Sequence, residues 1–239
     1  MDSITKISHN TVMDNTVGSL TQFQKSVILG SVLGDGHIRI MPGRKDAFLE
    51  INHSIKAKEY VDWKYSVLRD ICKSPPKTRK SGENRVAYRF FTKQREEISE
   101  MLKKFYRNGK KVIPSDFRLN PVILAVWFMD DGSKSRKSDV YLNTQQFSYL
   151  DQKRLLHLLR LMGLKARLNR DKKYYRIRFL KESVPELNRI IGEYVVPSMR
   201  YKLSYDPVET HPPRRMESSK CGGLKRQLPT SLENERKKI

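Results

Sequence analysis

The chain has 239 residues, 38% of them hydrophobic, which is enough for a real core and excludes a wholly disordered protein. The net charge is +22, and residues 21–205 alone hold +20, so the folded part itself is basic and calls for a polyanionic partner. Two cysteines without metal-like spacing, Cys72 and Cys221, and a longest apolar run of only Pro121 to Met129 exclude a disulfide scaffold and a membrane span.

Residues 1–20 are polar and aperiodic, and we expect a flexible arm with neither a signal core nor an Arg-rich transit pattern. Thr21-x-x-Gln24 is a capping box that opens a short apolar helix, "KSVILGSVLGDG". Gly30 and Gly34 share one face of it and would let another backbone come close. "HIRIM" and "FLEINHSI" follow as strands, then the amphipathic helix "AKEYVDWKYSVLRDI". "PKTRKSGENRVAYRFFTK" reads as two strands turning at Ser81-Gly82-Glu83-Asn84, and a further helix is centred on 95–107. The unit closes on Val112-Ile113-Pro114-Ser115.

The same order then recurs. Asn120-Pro121 caps a second apolar helix that runs into Asp130-Asp131-Gly132. The strand-like "SDVYLNTQQF", the helix "DQKRLLHLLRLMG", a strand pair turning near Arg170-Asp171-Lys172 and a helix around 184–194 follow. The close is Val195-Val196-Pro197-Ser198. The expectation is an α+β fold of two pseudo-symmetric αββαββα repeats, 21–115 and 116–205, packed through their apolar helices. Gly36 and Gly132 are expected as left-handed helix caps. Residues 206–239 are rich in Pro, Gly, Ser and charge and read as a basic disordered tail.

Each apolar helix ends in an aspartate before its glycine, Asp35 and Asp131. If the helices pack together, these carboxylates meet at the poles where the backbone dipole disfavours negative charge. Such an arrangement is costly unless a cation sits between them, and all-oxygen ligands favour a hard divalent ion such as Mg²⁺.

"ILGSVLGDG" (28–36) and "LAVWFMDDG" (124–132) resemble, without gaps, the nine-residue motif of the LAGLIDADG homing endonucleases in their single-chain, two-motif form. The resemblance covers about residues 20–205, with Val126 and Asp130 standing where the motif has Gly and Ala. It implies Asp35 and Asp131 as metal-binding catalytic residues, with the backbone of Gly34 and Asp130 as further candidate ligands. It also implies Mg²⁺, with Mn²⁺ able to substitute, and a catalytic basic residue in each half, for which Lys111 and Lys202 are the candidates. Asp130 is read as a neighbour that adds negative charge. Each half would carry an antiparallel sheet, the two forming a saddle on double-stranded DNA, in a protein acting as a monomer. An intron of a chloroplast or mitochondrial genome would be the source.

Period-two alternation puts cations on one strand face: His37 and Arg39, Arg85 and Arg89, Lys165 and Arg167, Arg176 and Arg178. With Asn52, Asn143 and Gln145 they are the candidate DNA contacts, and Asn52, Ser54, Asn143 and Gln145 could also order solvent near the metals. The leading reading is a site-specific endonuclease cutting both strands. An RNA maturase acting on its host intron, and a DNA-binding regulator with weak catalysis, stay open beside it. A basic ribosome-associated protein does not account for the repeated Asp-Gly helix ends.

Overall fold

Two buried helices, one from each half of the chain, pack together in a seam. The computed structural model describes residues 19–80, 85–136 and 139–203. In chain order the first half has α1 (Gln22–Leu33), β1 (His37–Ile40), β2 (Ala47–Ser54), α2 (Lys58–Leu68), β3 (Lys77–Lys80), β4 (Val86–Phe91) and α3 (Glu96–Phe105). A small hairpin follows, β5 (Tyr106–Arg107) and β6 (Lys110–Lys111). The second half has α4 (Pro121–Asp131), β7 (Gly132–Arg136), β8 (Asp139–Leu142), α5 (Tyr149–Leu161), β9 (Ala166–Asp171), β10 (Tyr174–Phe179) and α6 (Val184–Ile191). The expected αββαββα order is present twice. The two antiparallel sheets have the same layout, β1-β2-β4-β3 and β7-β8-β10-β9.

The start signals act as their chemistry dictates. Thr21 Oγ1 accepts from Gln24 N, and Gln24 Oε1 accepts from Thr21 N, both at 3.1 Å. Asn120 Oδ1 accepts from Ile123 N at 2.8 Å, and Pro121 fills a helix position that needs no N–H donor. The stop signals differ from expectation. Gly132 is extended, with φ −67 and ψ 139, and Gly36 is not among the positive-φ glycines of the described residues. Space, not handedness, demands these glycines. A Cβ on Gly132 would lie 2.3 Å from the Phe128 carbonyl oxygen, and one on Gly36 would lie 2.8 Å from that of Ser31.

Space also sets the seam. A Cβ on Gly30 would lie 2.6 Å from Val126 Cβ and 2.7 Å from the Ile123 carbonyl oxygen, and one on Gly34 would lie 2.4 Å from Asp130 Cβ. Glycine on one helix suffices for this closeness even though α4 carries Val126. Around the seam Val27, Ile28, Leu33, Leu124, Trp127 and Phe128 are buried, as helices apolar all round must be.

Each sheet turns one face inward. Ile38 opposes Leu49, Ile51 opposes Phe90 and Leu142 opposes Ile177, all buried. β7, "GSKSR", shows no alternation and is held by its pairing with β8, so sequence pattern alone does not reveal it. The second strand segment ends early, at Leu142, and Asn143 to Phe147 leave the sheet. The second hairpin turns beside Asp171, with Lys172 at φ 54. The expected turn at 81–84, the tail 206–239 and all of the arm but Ser19 and Leu20 lie outside the described residues. Leu20 itself is buried, and its N–H donates to Glu97 Oε1 at 3.2 Å.

Gly30→Ala should destabilise the protein by about 1–3 kcal/mol, because the new methyl meets backbone as well as side chain. Thermal unfolding should show a Tm lower by roughly 2–10 °C. An unchanged Tm would mean that the helices have room to part.

Candidate active site

Asp131 is the last residue of α4, while Asp35 lies just past the Gly34 cap of α1. Neither helix has a basic residue in its last turn to offset the negative pole. The cations arrive from far along the chain. Lys111 Nζ donates to the Gly34 carbonyl at 2.5 Å; Lys202 Nζ donates to the Asp130 carbonyl at 3.0 Å and also to that of Met129. Lys111 and Lys202 thus hold matching places in the two halves. The Gly34 and Asp130 carbonyls, candidates as extra ligands, already accept a lysine hydrogen bond and keep one lone pair each for anything else. Burial pushes both lysines below the ordinary ammonium range, against the pull of the three aspartates.

Asp131 shows the strain of the site most clearly. Burial first, then the charges of Asp130 and Asp35, push its carboxyl up to about 8, and Lys111 and Lys202 only partly offset this. Gln146 ties the two helix ends together: its Nε2 donates to the Leu33 carbonyl at 2.9 Å and approaches Asp131 Oδ2 at 3.4 Å. Asp35 is more open, its side chain 51% exposed. It borders a cleft of about 640 Å³ lined also by Asn52, His53, Ser54, Lys56 and Arg85.

Asp130 is more than a source of extra charge. Its side chain is wholly buried in the slot that Gly34 leaves, and Lys64, equally buried, donates to both oxygens at 2.8 and 3.0 Å. Burial raises the Asp130 carboxyl, but the Lys64 ammonium and His53 outweigh it, so the group sits below its ordinary value. Asp130 Oδ2 also accepts the Asp35 N–H at 3.2 Å. His53 lies between them, with Nδ1 3.6 Å from Asp35 Oδ2 and Nε2 3.6 Å from Asp130 Oδ1. The ligand atoms of Asp35, His53 and Asp130 lie within 4.8 Å of one another. Both Asp130 oxygens are held by Lys64, so the exposed Asp35 carboxylate is the oxygen ligand open to a hard divalent ion on this side. The like charges crowding Asp131 set up a need for positive charge at the other helix end.

Sequence reasoning passed over Lys64, His53 and Gln146. Lys64 shares the buried stripe Tyr60, Val61, Leu68 of α2, and a lysine in an apolar stripe was a readable signal. His53 pairs with Tyr88 on the inward face, two residues on from Ile51, so its parity marked it as buried. Gln146 leaves no signal, because it acts from a loop.

The candidate DNA contacts mostly share the outward faces. Arg39 opposes Phe48, Asn52 opposes Arg89, and Arg178 opposes both Tyr141 and Arg167. His37, Arg85, Lys165 and Arg167 are exposed. Several cations are pinned by sparse acids: Glu50 pairs with Arg39 at 2.7 Å and Arg89 at 3.7 Å, and Asp139 pairs with Arg178. Arg176 stacks over Tyr141 at 4.0 Å. The Asn143 amide lies 3.4 Å from Ser133 Oγ and the Gln145 amide donates to Asp171 at 3.2 Å, which keeps both at the strand ends.

Paired motif helices carrying terminal aspartates, flanked by two like sheets, define a class. The family model described as the LAGLIDADG DNA endonuclease family matches residues 25–187, and the chain belongs to that family, in its single-chain, two-motif form. The chain is 33% identical over 210 residues to the cytochrome b mRNA maturase bI2 of Saccharomyces cerevisiae, covering 80% of this chain and 49% of that protein. It is 28% identical over 205 residues to a probable intron-encoded endonuclease 1 of Wickerhamomyces canadensis, covering 79% and 87%. The homing endonuclease I-WcaI, solved bound to its DNA recognition sequence, superposes with a TM-score of 0.72 at 25% identity, covering 77% of this chain and 87% of that one.

Asp131 carries a pH signature. Its folded pKa, about 8, lies above the ordinary 3.8, so its stabilising contribution is whole below about pH 4 and is lost as pH rises towards 8. Metal-free Asp131→Asn should therefore melt several degrees above the parent protein at pH 8, with the gap closing towards pH 4. Thermal scans in EDTA across this range check it, and an Asn variant that melts lower at pH 8 would refute the crowding of the site.

Proposed function

We propose that this protein is a site-specific DNA endonuclease, encoded in an organelle intron, that cuts both strands of a long asymmetric target using divalent metal ions. The observation that carries the reading is the meeting of Asp35 and Asp131 at adjoining helix ends, each end with a half-buried lysine at its carbonyls. Asp35 and Asp131 would hold the ions, Mg²⁺ with Mn²⁺ able to substitute. Such an ion, when bound, activates water and steadies the leaving oxygen of a phosphodiester. Lys111 and Lys202 place ammonium groups where charge develops on the phosphate. Asp130 and His53 hold the Asp35 side in place.

The outward strand faces supply the DNA contacts. Arg39, Arg89, Arg167, Arg176 and Arg178 present guanidinium groups suited to phosphate and guanine, and Asn52 presents an amide suited to adenine. The halves differ in sequence at these positions, so a palindromic target is not required. A chain of this form acts as a monomer, one half per half-site. The DNA-bound state of I-WcaI supports this mode of binding.

A second reading has its own support: the Saccharomyces relative at 33% identity and a Debaryomyces hansenii relative at 31% are both named cytochrome b mRNA maturases. In that reading the cationic surface takes host intron RNA. A regulator with weak catalysis is disfavoured because both carboxylates and both lysines are in place.

Cleavage selection on randomised and intron-insertion-site DNA, with Mg²⁺ and with EDTA, separates the readings. Mg²⁺-dependent cutting of both strands is expected. Asp35→Asn or Asp131→Asn should abolish double-strand cleavage while DNA binding largely survives; full cleavage by either variant sinks the site assignment. Binding without cleavage by the parent protein, together with an effect on splicing, would favour the maturase. DNA affinity should fall by about 10³-fold or more between 50 and 200 mM salt, and a flat salt response would argue against the cationic faces as the binding surface.

A further inference from the structure

We propose that Lys64 is a positioning residue that fixes Asp35 through Asp130, making the two active sites unequal, so that cutting of one strand depends on it and cutting of the other does not. The inference rests on the endonuclease reading.

The two halves can be compared position by position. The buried residues of α2 are Tyr60, Val61, Lys64 and Leu68; those of α5 are Asp151, Gln152, Leu155 and Leu159, at the same spacing. Lys64 therefore corresponds to Leu155. The motif helices align Asp130 with Gly34. Glu50 opposes His37 as Tyr141 opposes Ser133, and the same spacing, which also relates Tyr60 to Asp151, sets His53 against Thr144, just past the end of β8. One set holds a buried cation, a buried carboxylate and an imidazole in contact. The other holds leucine, glycine and threonine. Asp151, the counterpart of Tyr60, is engaged elsewhere, accepting from Ile113 N at 3.1 Å and pairing with Arg154 at 3.2 Å.

The asymmetry falls on a backbone that needs it. Asp131 lies inside α4, and the following Gly132 N–H donates to the Phe128 carbonyl, so the helix itself holds the residue. Asp35 lies outside α1. Gly34 N donates to the Gly30 carbonyl and Gly36 N to that of Ser31, and these bonds bypass Asp35. The Asp35 N–H goes instead to Asp130 Oδ2 at 3.2 Å. A lone carboxylate could shift in its slot, but the Lys64 ammonium holds both oxygens, at 2.8 and 3.0 Å. Tyr60 completes the clamp, its ring 4.4 Å below the Lys64 ammonium and its hydroxyl donating to the Val126 carbonyl at 3.1 Å. Buried ion pairs are seldom more stabilising than apolar residues of similar size, so stability alone does not account for this one. Its distinctive product is a fixed Asp35 main chain.

The test removes both charges together, so that neither is left buried alone. Lys64→Leu/Asp130→Ala gives the first half a leucine like Leu155 and the second motif a small residue. Lys64→Met/Asp130→Asn removes the charges but keeps an acceptor for the Asp35 N–H, and serves also if the first variant fails to fold. Duplex recovered from the cleavage selection is labelled on each strand and strand rates are measured at saturating protein. Asp35→Asn and Asp131→Asn identify which strand belongs to which site. In Lys64→Leu/Asp130→Ala the strand of the Asp35 site should slow by about tenfold or more relative to the other, as expected for a misplaced ligand. In Lys64→Met/Asp130→Asn the relative slowing should be smaller, about threefold or less. Equal slowing of both strands, no slowing, or slowing confined to the Asp131 strand overturns the inference while leaving the endonuclease standing. Failure of the parent protein to cut either strand removes the endonuclease reading first.

Discussion

The closeness of α1 to α4 governs this molecule. Gly30 and Gly34 remove side chains where Val126 and Asp130 need room, and the helices meet with side chain against backbone. Everything near the candidate site inherits its position from that contact. Asp35 reaches the second half, Lys64 of the first half reaches Asp130, and Gln146 of the second half reaches the Leu33 carbonyl. Protein interiors are packed too tightly for such a seam to shift without moving all of these together.

The electrostatics follow from the same geometry. Bringing two helix C-termini together concentrates carbonyl dipoles, and the aspartates add full charges to them. Cations from three separate places in the chain answer this. Lys111 and Lys202 serve the carbonyls at the two helix ends, while Lys64 serves Asp130 alone. Asp131 remains under-compensated, with its carboxyl pushed up to about 8. A structure selected only for stability would not keep it, and sites that must take up a cation commonly carry strain of this kind.

Much of this was legible in the sequence, and for physical reasons. Helix periodicity, capping chemistry and the repeated Asp-Gly ends are local signals, and they located α1, α4 and the doubled order of elements. Lys111 and Lys202 could be nominated because the family resemblance implies a basic residue in each half and each of them stands near a repeat boundary. The elements that escaped depend on partners distant in sequence. β7 exists because β8 pairs with it. The role of Gly36 and Gly132 looked like a matter of handedness but is one of clearance, which only packing reveals. Lys64 and His53 did leave a signal, in helical spacing and in strand parity, but their residue types invite a surface reading that overrides it. Asp130 was legible as a departure from the motif but not as half of an ion pair, because Lys64 lies 66 positions away.

The seam is small on one side and large on the other. At both contact positions the first helix contributes glycine, and the second contributes Val126 and Asp130. Two copies of the second half could not close against each other, since valine would meet valine and two carboxylates would share one slot without a lysine. Two copies of the first half would close over a void. The two halves share one outline, yet they cannot be interchanged. Each has become the other's obligatory template, and the covalent link between them joins surfaces that recognise one another and not themselves.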